Sequence, residues 1–172
     1  MSKAVLLSIR PKWVEKIASG EKTIEVRKTK PKLETPFKCY IYCTLPKYPH
    51  EDFIATDYPM PQFYGGGKVV GEFTCDQIID AWWDYVPDAI TREVTGGNLE
   101  ALDGIGMTDE ELFSYVGDSM RGHCYGWHIS DLLIYDQPKG LDEFTRLRET
   151  KFGSEPVTIK RAPQSWCYVE EG

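Results

Sequence analysis

The segment from Ser19 to Lys28 constrains the fold and function of this chain more than any other. After Gly20 ends a predicted helix, Thr23, Glu25 and Arg27 alternate with two apolar residues. Successive side chains of a strand point to opposite faces, so this spacing predicts a strand with one apolar and one polar face. A carboxylate and a guanidinium on rigid backbone after a turn are typical of a site for a polar or anionic ligand. A solvated strand face with a weak Glu25–Arg27 pair is the alternative.

The residues before this segment predict a strand and a short helix. Residues 5–9 are a run of apolar residues and strand formers. Pro11 fits the first turn of a helix because its φ is fixed and its missing N–H would have no partner there. Gly20 fits the left-handed position that commonly follows a helix. The sequence therefore predicts a strand, a helix over residues 10–20, a tight turn and a second strand.

This pattern resembles the start of the ASCH domain (activating signal cointegrator homology), which belongs to the PUA-like superfamily. The G-x-K-x-x-E-x-R core of that family, here called the signature, is matched by Gly20, Lys22, Glu25 and Arg27. Three later segments are similar to a barrel strand, a late strand and the closing segment of phage and bacterial members: residues 69–73, 125–135 and 162–169. The resemblance spans most of the chain and is interrupted by residues 76–122.

The resemblance implies an α+β fold, a PUA-like mixed β-barrel with a short N-terminal helix. For 172 residues we expect a single domain over residues 1–172 that carries a helical insertion at about 76–122. Within the insertion, one helix is predicted from Pro87 through Arg92. A second is opened by a capping box of Thr108 and Glu111. Residues 145–161 are predicted to form a polar connector.

Composition argues against several classes of protein. No run approaches the ~20 apolar residues of a membrane span, and the N-terminus lacks the ~7–15 apolar residues of a secretory signal. Five cysteines without C-x-x-C spacing favour reduced thiols and a cytoplasmic location. We expect no metal site, because Cys39 and Cys43 on one strand face would lie about 13 Å apart. No cofactor and no membrane partner are expected.

Charge is distributed unevenly along the chain. The net charge is -7, yet residues 1–50 contain 11 Lys and Arg against 4 Asp and Glu, a balance of +7. The remaining residues balance to -14. A basic face around the signature could therefore contact an anionic ligand while the rest of the surface stays acidic. The alternative is a solvated loop of lysines.

The first functional hypothesis is a binding module for RNA or a nucleotide. The resemblance implies a cleft at the barrel mouth that accepts single-stranded nucleic acid, with RNA favoured over DNA. Cationic side chains would neutralise phosphate, Glu25 would accept a hydrogen bond from a base or hold Arg27, and aromatic rings would stack on bases. The candidate ligand-binding residues are Ser8, Lys12, Lys22, Glu25, Arg27, Trp127 and His128.

The second hypothesis is a small amidohydrolase, so the sequence leaves open whether the chain is an enzyme. Some minimal ASCH-like proteins hydrolyse acetylated cytidine with a lysine, a threonine and a glutamate around this signature. Lys22 matches the lysine, whereas Glu25 takes the place of the threonine and Thr23 lies two residues earlier. A lysine with a lowered pKa could activate water, and a carboxylate could move the proton. The candidate catalytic residues are Lys22, Glu25, Thr23 and Glu72.

The third hypothesis assigns the insertion a role in protein interaction. Neighbouring residues on a helix or strand cannot both face the same core, so Trp82 or Trp83 could contact a protein partner. A module of this kind would tolerate changes in the signature, which the other two hypotheses forbid.

Overall fold

A large bent sheet dominates the fold. The computed structural model describes residues 2–45, 66–85, 94–117 and 121–172. The strands in these parts of the chain are β1 (Lys3–Ile9), β2 (Ile24–Arg27), β3 (Phe37–Cys43), β4 (Lys68–Tyr85), β5 (Val94–Gly97), β6 (Arg121–Lys139), β7 (Thr145–Thr150), β8 (Gly153–Thr158) and β9 (Trp166–Glu170). The α-helices are α1 (Pro11–Ala18) and α2 (Asp109–Val116), and single 3-10 turns occupy Leu99–Leu102 and Leu141–Glu143.

The first three elements form as the local signals predict. Pro11 begins α1, and Gly20 follows the helix with a φ of +81°. The helix buries Val14 and Ile17, which lie three residues apart and therefore share one face. The amide of Lys22 donates to the carbonyl of Lys16 at 2.9 Å, which folds the chain back from α1 into β2. One tight turn therefore connects α1 to β2, the strand that carries Glu25 and Arg27 of the signature.

The main sheet has the strand order β2-β6-β4-β3-β1-β9, and β5 pairs with β4. Only β1 and β3 run parallel, and the other pairs within this sheet are antiparallel. The pairing of β4 with β6 shifts register at three places, and such bulges bend a strand and increase its twist. At the end of β2, Arg27 donates to the carbonyl of Ser165, just before β9, at 3.1 Å. The sheet therefore bends until its two outer strands approach each other.

This architecture is α+β, as expected, but backbone pairing does not close the sheet into a barrel. Among the described residues, the two outer strands are bridged by the guanidinium of Arg27 and not by a ladder of backbone hydrogen bonds. In the described residues the predicted barrel is present as a curved sheet, and hydrogen bonds from side chains, including one from Trp166 to Thr29, join its two ends along a seam. The position of that seam puts Arg27 at the centre of the site described below.

The core lies on both faces of the sheet. Alternate residues of β1 and β3, such as Leu7 and Ile41, pack with α1, while Leu6 and Tyr40 join a second cluster on the opposite face. Both strands are consequently buried on both sides, as the lack of polar alternation in residues 39–43 predicts. A third cluster packs α2 against β2 and the far half of β4. These clusters hold β1, α1, β2 and α2 around one opening.

Two segments differ from the sequence prediction. Residues 76–85 are not helical but continue β4, because the ladder with β6 runs on from Ile78 to Asp84. Residues 145–161 are not a plain connector, since they contain the β7–β8 hairpin. The predicted helix over residues 87–92 lies outside the described residues. The capping box of Thr108 and Glu111 at the start of α2 is confirmed.

The described residues contain no helix that is long and apolar enough to cross a membrane. All five cysteines are free thiols, and four of them are buried. The cytoplasmic location stays a prediction.

Candidate functional site

A cleft of about 860 Å³ opens where β1, α1, β2 and α2 meet. A volume of this size is typical of small-ligand sites, which range over about 300–1,000 Å³. The signature strand forms its floor, and the start of α1 and the exposed face of α2 form its walls. Its lining residues are Ser8, Ile9, Arg10, Lys12, Trp13, Lys22, Glu25, Val26, Arg27, Thr44, Met107, Glu110, Glu111, Ser114, Tyr115 and Gln164.

A buried group of three charges lies on the floor of the cleft. Glu25 accepts from Arg27 at 2.9 Å and pairs with the ammonium of Lys22 at 3.4 Å. The three residues are between 2% and 6% exposed, so water screens these charges little. Two cations and one carboxylate leave the group with a formal charge of +1. The polar face predicted for β2 therefore exists, but it is buried at the cleft floor and not solvated.

Arg27 joins three segments of the chain. One terminal nitrogen of its guanidinium donates to the carbonyl of Ser8 at 2.8 Å, and the other donates to the carbonyl and hydroxyl of Ser165 at 3.1 and 3.2 Å. Its Nε–H is buried and has no hydrogen-bond partner among the described residues. Arg27 thus fixes the seam of the sheet and keeps one donor that no described residue accepts from.

Lys22 is held in an unusual state for a lysine. Its ammonium donates to the carbonyl of Ile105 at 2.6 Å, and the side chain is almost fully buried. Burial lowers the pKa of Lys22, the charges of Arg27 and Lys16 lower it further, and Glu25 offsets part of this effect. More neutral amine is therefore present near neutral pH than for an exposed lysine.

The walls add two further cations and two aromatic rings. Arg10 and Lys12 stand at the start of α1, and Lys12 pairs across the opening with Glu111 of α2 at 2.5 Å. Trp13 lines one wall, and the ammonium groups of three lysines lie 4.5–5.6 Å from its ring centre. Tyr115 lines the opposite wall and is 36% exposed. The cleft therefore offers cations and ring faces together.

The structure brings five predicted ligand-binding residues into this one cleft. They are Ser8, Lys12, Lys22, Glu25 and Arg27. Ser8 also stabilises the fold, because its hydroxyl donates to the carbonyl of Pro163 at 2.6 Å. The convergence on one concavity decides against the alternative of a solvated strand face for Glu25 and Arg27.

Four other predicted site residues lie elsewhere. Trp127 pairs with Glu25 in the sheet but is fully buried in the core against Phe37. His128 is half-buried on β6 and contacts the Asp76 carboxylate at 2.7 Å. Glu72 accepts from Tyr135 and pairs with Lys38, away from the cleft. Thr23 precedes β2, is exposed and does not line the cavity. The alternation of residues along a strand predicts which side chains share a face, but it does not predict which of them are buried in the core.

The wall that α2 supplies is not among the features that the sequence predicts. The capping box at Thr108 locates this helix, and Glu110, Glu111, Ser114 and Tyr115 follow at spacings that can share a helix face. Nothing local indicates that this face lies opposite Lys12. Gln164 and Arg10 also line the cleft without having been predicted there, and Gln164 is far from the signature in sequence. No group of three or more potential metal-binding side chains is found in the described ranges.

Comparison with solved structures agrees with this architecture. The crystal structure of ASCH from Zymomonas mobilis matches with a TM-score of 0.52 and 16% identity, over 98% of this chain and 88% of that one. A mutant ZmASCH protein from the same organism matches with a TM-score of 0.52 and 15% identity, over 99% and 92%. No family model and no curated protein matches the chain. The phage or bacterial type stays a prediction. At this level of identity the likeness concerns the fold, and the chain has an ASCH-type fold.

Proposed function

We propose that this chain binds single-stranded RNA or a nucleotide in the cleft between α1 and α2. The observation that carries the proposal is the buried group of Lys22, Glu25 and Arg27 on the cleft floor, with its excess positive charge. Burying charged groups costs several kcal/mol per ion in proteins, and this group lies at a concavity and not within the core. An anionic ligand would stabilise the excess charge, which makes phosphate the best-matched group.

The walls fit the other parts of a nucleotide. The rings of Trp13 and Tyr115 line the cleft, and stacking of a base on either ring would contribute about 1–3 kcal/mol. Arg10 and Lys12 stand where a neighbouring phosphate would pass. Four cations and three carboxylates line the cleft, so its formal charge is only +1. That balance suits one or two nucleotides better than a long stretch of phosphates.

The test is a fluorescence-anisotropy titration with a single-stranded RNA and, separately, with a nucleoside monophosphate. About three phosphate contacts, to Arg10, Lys12 and Lys22, would give a slope of about -2 in log K against log salt. Arg10→Gln should reduce that slope by about 0.7. Lys38→Gln is the control, because Lys38 pairs with Glu72 and Glu171 and does not line the cleft. Absence of binding to either probe at about 50 mM salt would end the proposal.

One observation favours a second function, hydrolysis of an acetylated nucleoside. Lys22 is buried with a lowered pKa and stands 3.4 Å from Glu25, which is the pairing that a lysine needs to act as a base and pass on a proton. Thr23 and Glu72 do not line the cleft, so this reaction would rest on Lys22, Glu25 and a water molecule. We expect acetate release from acetylated cytidine that is lost in Lys22→Met and kept in Lys16→Met. Wild-type protein that matches buffer removes this second function.

A further inference from the structure

The β7–β8 hairpin is the least buried element of the described chain. All six residues of β7 pair with all six of β8, from Thr145–Thr158 to Thr150–Gly153, yet none of their side chains is buried. An isolated two-stranded hairpin is marginally stable in water. At its base the amide of Ile159 donates to the carbonyl of Phe144 at 2.9 Å, and its strands also run close to β9 and to the 3-10 turn at Leu141–Glu143. The hairpin therefore contributes exposed surface to the molecule and contributes little to its hydrophobic core.

The tip of this hairpin presents a bare aromatic ring. Phe152 is 100% exposed in the two-residue connection between β7 and β8. The turn is held beneath it by Thr150, whose hydroxyl accepts from the amide of Phe152 and donates to the carbonyl of Gly153. Leu147, on β7, is 44% exposed as well. The ring is thus displayed on a fixed turn.

The same segment concentrates positive charge in an acidic protein. Beyond residue 50 the chain has nine lysines and arginines, and five of them fall between residues 145 and 161. Arg148 is paired with Glu155 across the hairpin. The other four are exposed and form no ion pair within the described chain: Arg146, Lys151, Lys160 and Arg161. Such a cluster of free cations is matched by a chain of phosphates.

The basic segment leads directly to the cleft. After Lys160 and Arg161 the chain reaches Gln164, which lines the cleft, and Ser165, which binds Arg27. Gln164 lies four positions after Lys160, which is at most about 14 Å of extended chain. A ligand that leaves the cleft on this side would therefore meet cations within a few nucleotides.

We propose that the β7–β8 hairpin is a second contact surface for single-stranded RNA, with Phe152 stacking on a base and the exposed cations of residues 146–161 contacting its phosphates. The inference rests on the proposed function in one respect: it assumes that the RNA strand at the hairpin also occupies the cleft. Charge complementarity selects RNA over an apolar protein partner, because four exposed cations without an ion pair in the described chain lie on the hairpin or within three residues of its end.

The test compares labelled oligouridylates of about 4 and about 16 nucleotides, the span of site sizes for folds that bind single strands. Both are titrated with full-length wild type, Phe152→Ala, Phe152→Leu and Phe152→Trp. We expect Phe152→Ala to bind the long oligonucleotide about 5-fold more weakly or worse. Phe152→Leu should recover little, and Phe152→Trp should bind at least as well as wild type. The short oligonucleotide should bind equally to all four proteins.

The control is Leu133→Ala, because Leu133 is 53% exposed on β6 and belongs to neither surface. Phe152 has no packing to lose, so a folding defect is not expected to confuse the result. Equal binding of the long oligonucleotide by wild type and Phe152→Ala overturns the inference and leaves a protein partner for the hairpin. If Phe152→Ala loses binding of the long oligonucleotide and no protein binds the short one, the hairpin is supported as an RNA-binding surface and the proposal that the cleft binds RNA is overturned. Binding of neither oligonucleotide overturns both.

Discussion

Glu25→Gln is expected to lower the free energy of unfolding by about 3–5 kcal/mol. Glu25 is the one carboxylate that pairs with both Lys22 and Arg27, and all three residues are buried. The amide of glutamine keeps the shape of the side chain but leaves two buried cations without a counter-charge. Urea denaturation followed by circular dichroism measures the loss.

The loss should depend on pH in a defined direction. The pKa of Lys22 is already below its ordinary value of 10.5, and removing Glu25 should lower it further. The folded state then binds fewer protons than the unfolded state between the lowered pKa and 10.5. Stability therefore rises with pH across that window, and the window is wider for Glu25→Gln than for wild type.

Glu21→Gln is the matched control for this prediction. Glu21 also pairs with a lysine, Lys16, at 3.0 Å, but its side chain is 60% exposed. Exposed pairs contribute about 0–1 kcal/mol, so this variant should be nearly as stable as wild type. Equal stabilities of Glu21→Gln and Glu25→Gln would contradict the account of a buried charge group.

In contrast to Glu25→Gln, Lys22→Met is expected to bind RNA more weakly while its free energy of unfolding stays almost unchanged. Removing Lys22 leaves Glu25 and Arg27 as a neutral pair at 2.9 Å, so no buried charge is left uncompensated. The Ile105 carbonyl loses its donor, which costs about 1 kcal/mol, while the cost of burying an ammonium disappears. Loss of a hydrogen bond from a charged group to phosphate should weaken RNA binding about 10-fold or more.

Lys16→Met controls for the loss of a lysine in this region. Lys16 donates to the carbonyl of Gly106, next to the acceptor of Lys22, but it does not line the cleft. It should therefore keep RNA affinity within about 2-fold of wild type, since no direct hydrogen bond to phosphate is lost. Equal losses of affinity in both variants, or unfolding of Lys22→Met, would show that Lys22 acts on the fold and not on the ligand.

Local signals in the sequence were sufficient to predict the elements that carry the site. Pro11, Gly20 and the alternation around Glu25 each act over a few residues, and the structure places α1 and β2 where they indicate. The capping box at Thr108 has the same local character. Five of the seven predicted ligand-binding residues lie in one cleft for this reason.

The remaining features depend on contacts that are distant in the sequence. Residues 76–85 carry no alternation that distinguishes a strand from a helix, and their pairing with β6 decides the outcome. Trp82 and Trp83 are neighbours on the strand β4 and point to opposite faces of the sheet. Trp83 is fully buried, and Trp82 is 43% exposed. Trp127 and Glu25 are cross-strand neighbours, yet only Glu25 reaches the cleft because Trp127 fills the core.

A nucleotide or a short single-stranded RNA is expected to bind in the cleft between α1 and α2 and not at another face of the molecule. Amide chemical shifts of isotopically labelled wild-type protein, followed while a single-stranded RNA of about 4 nucleotides is added, test it residue by residue. The account predicts that the largest changes occur at the start of α1, in β2 and along α2, with Lys12, Glu25 and Tyr115 among them. Changes confined to the end of the sheet around Trp82 and His123, or no changes at all, would contradict it.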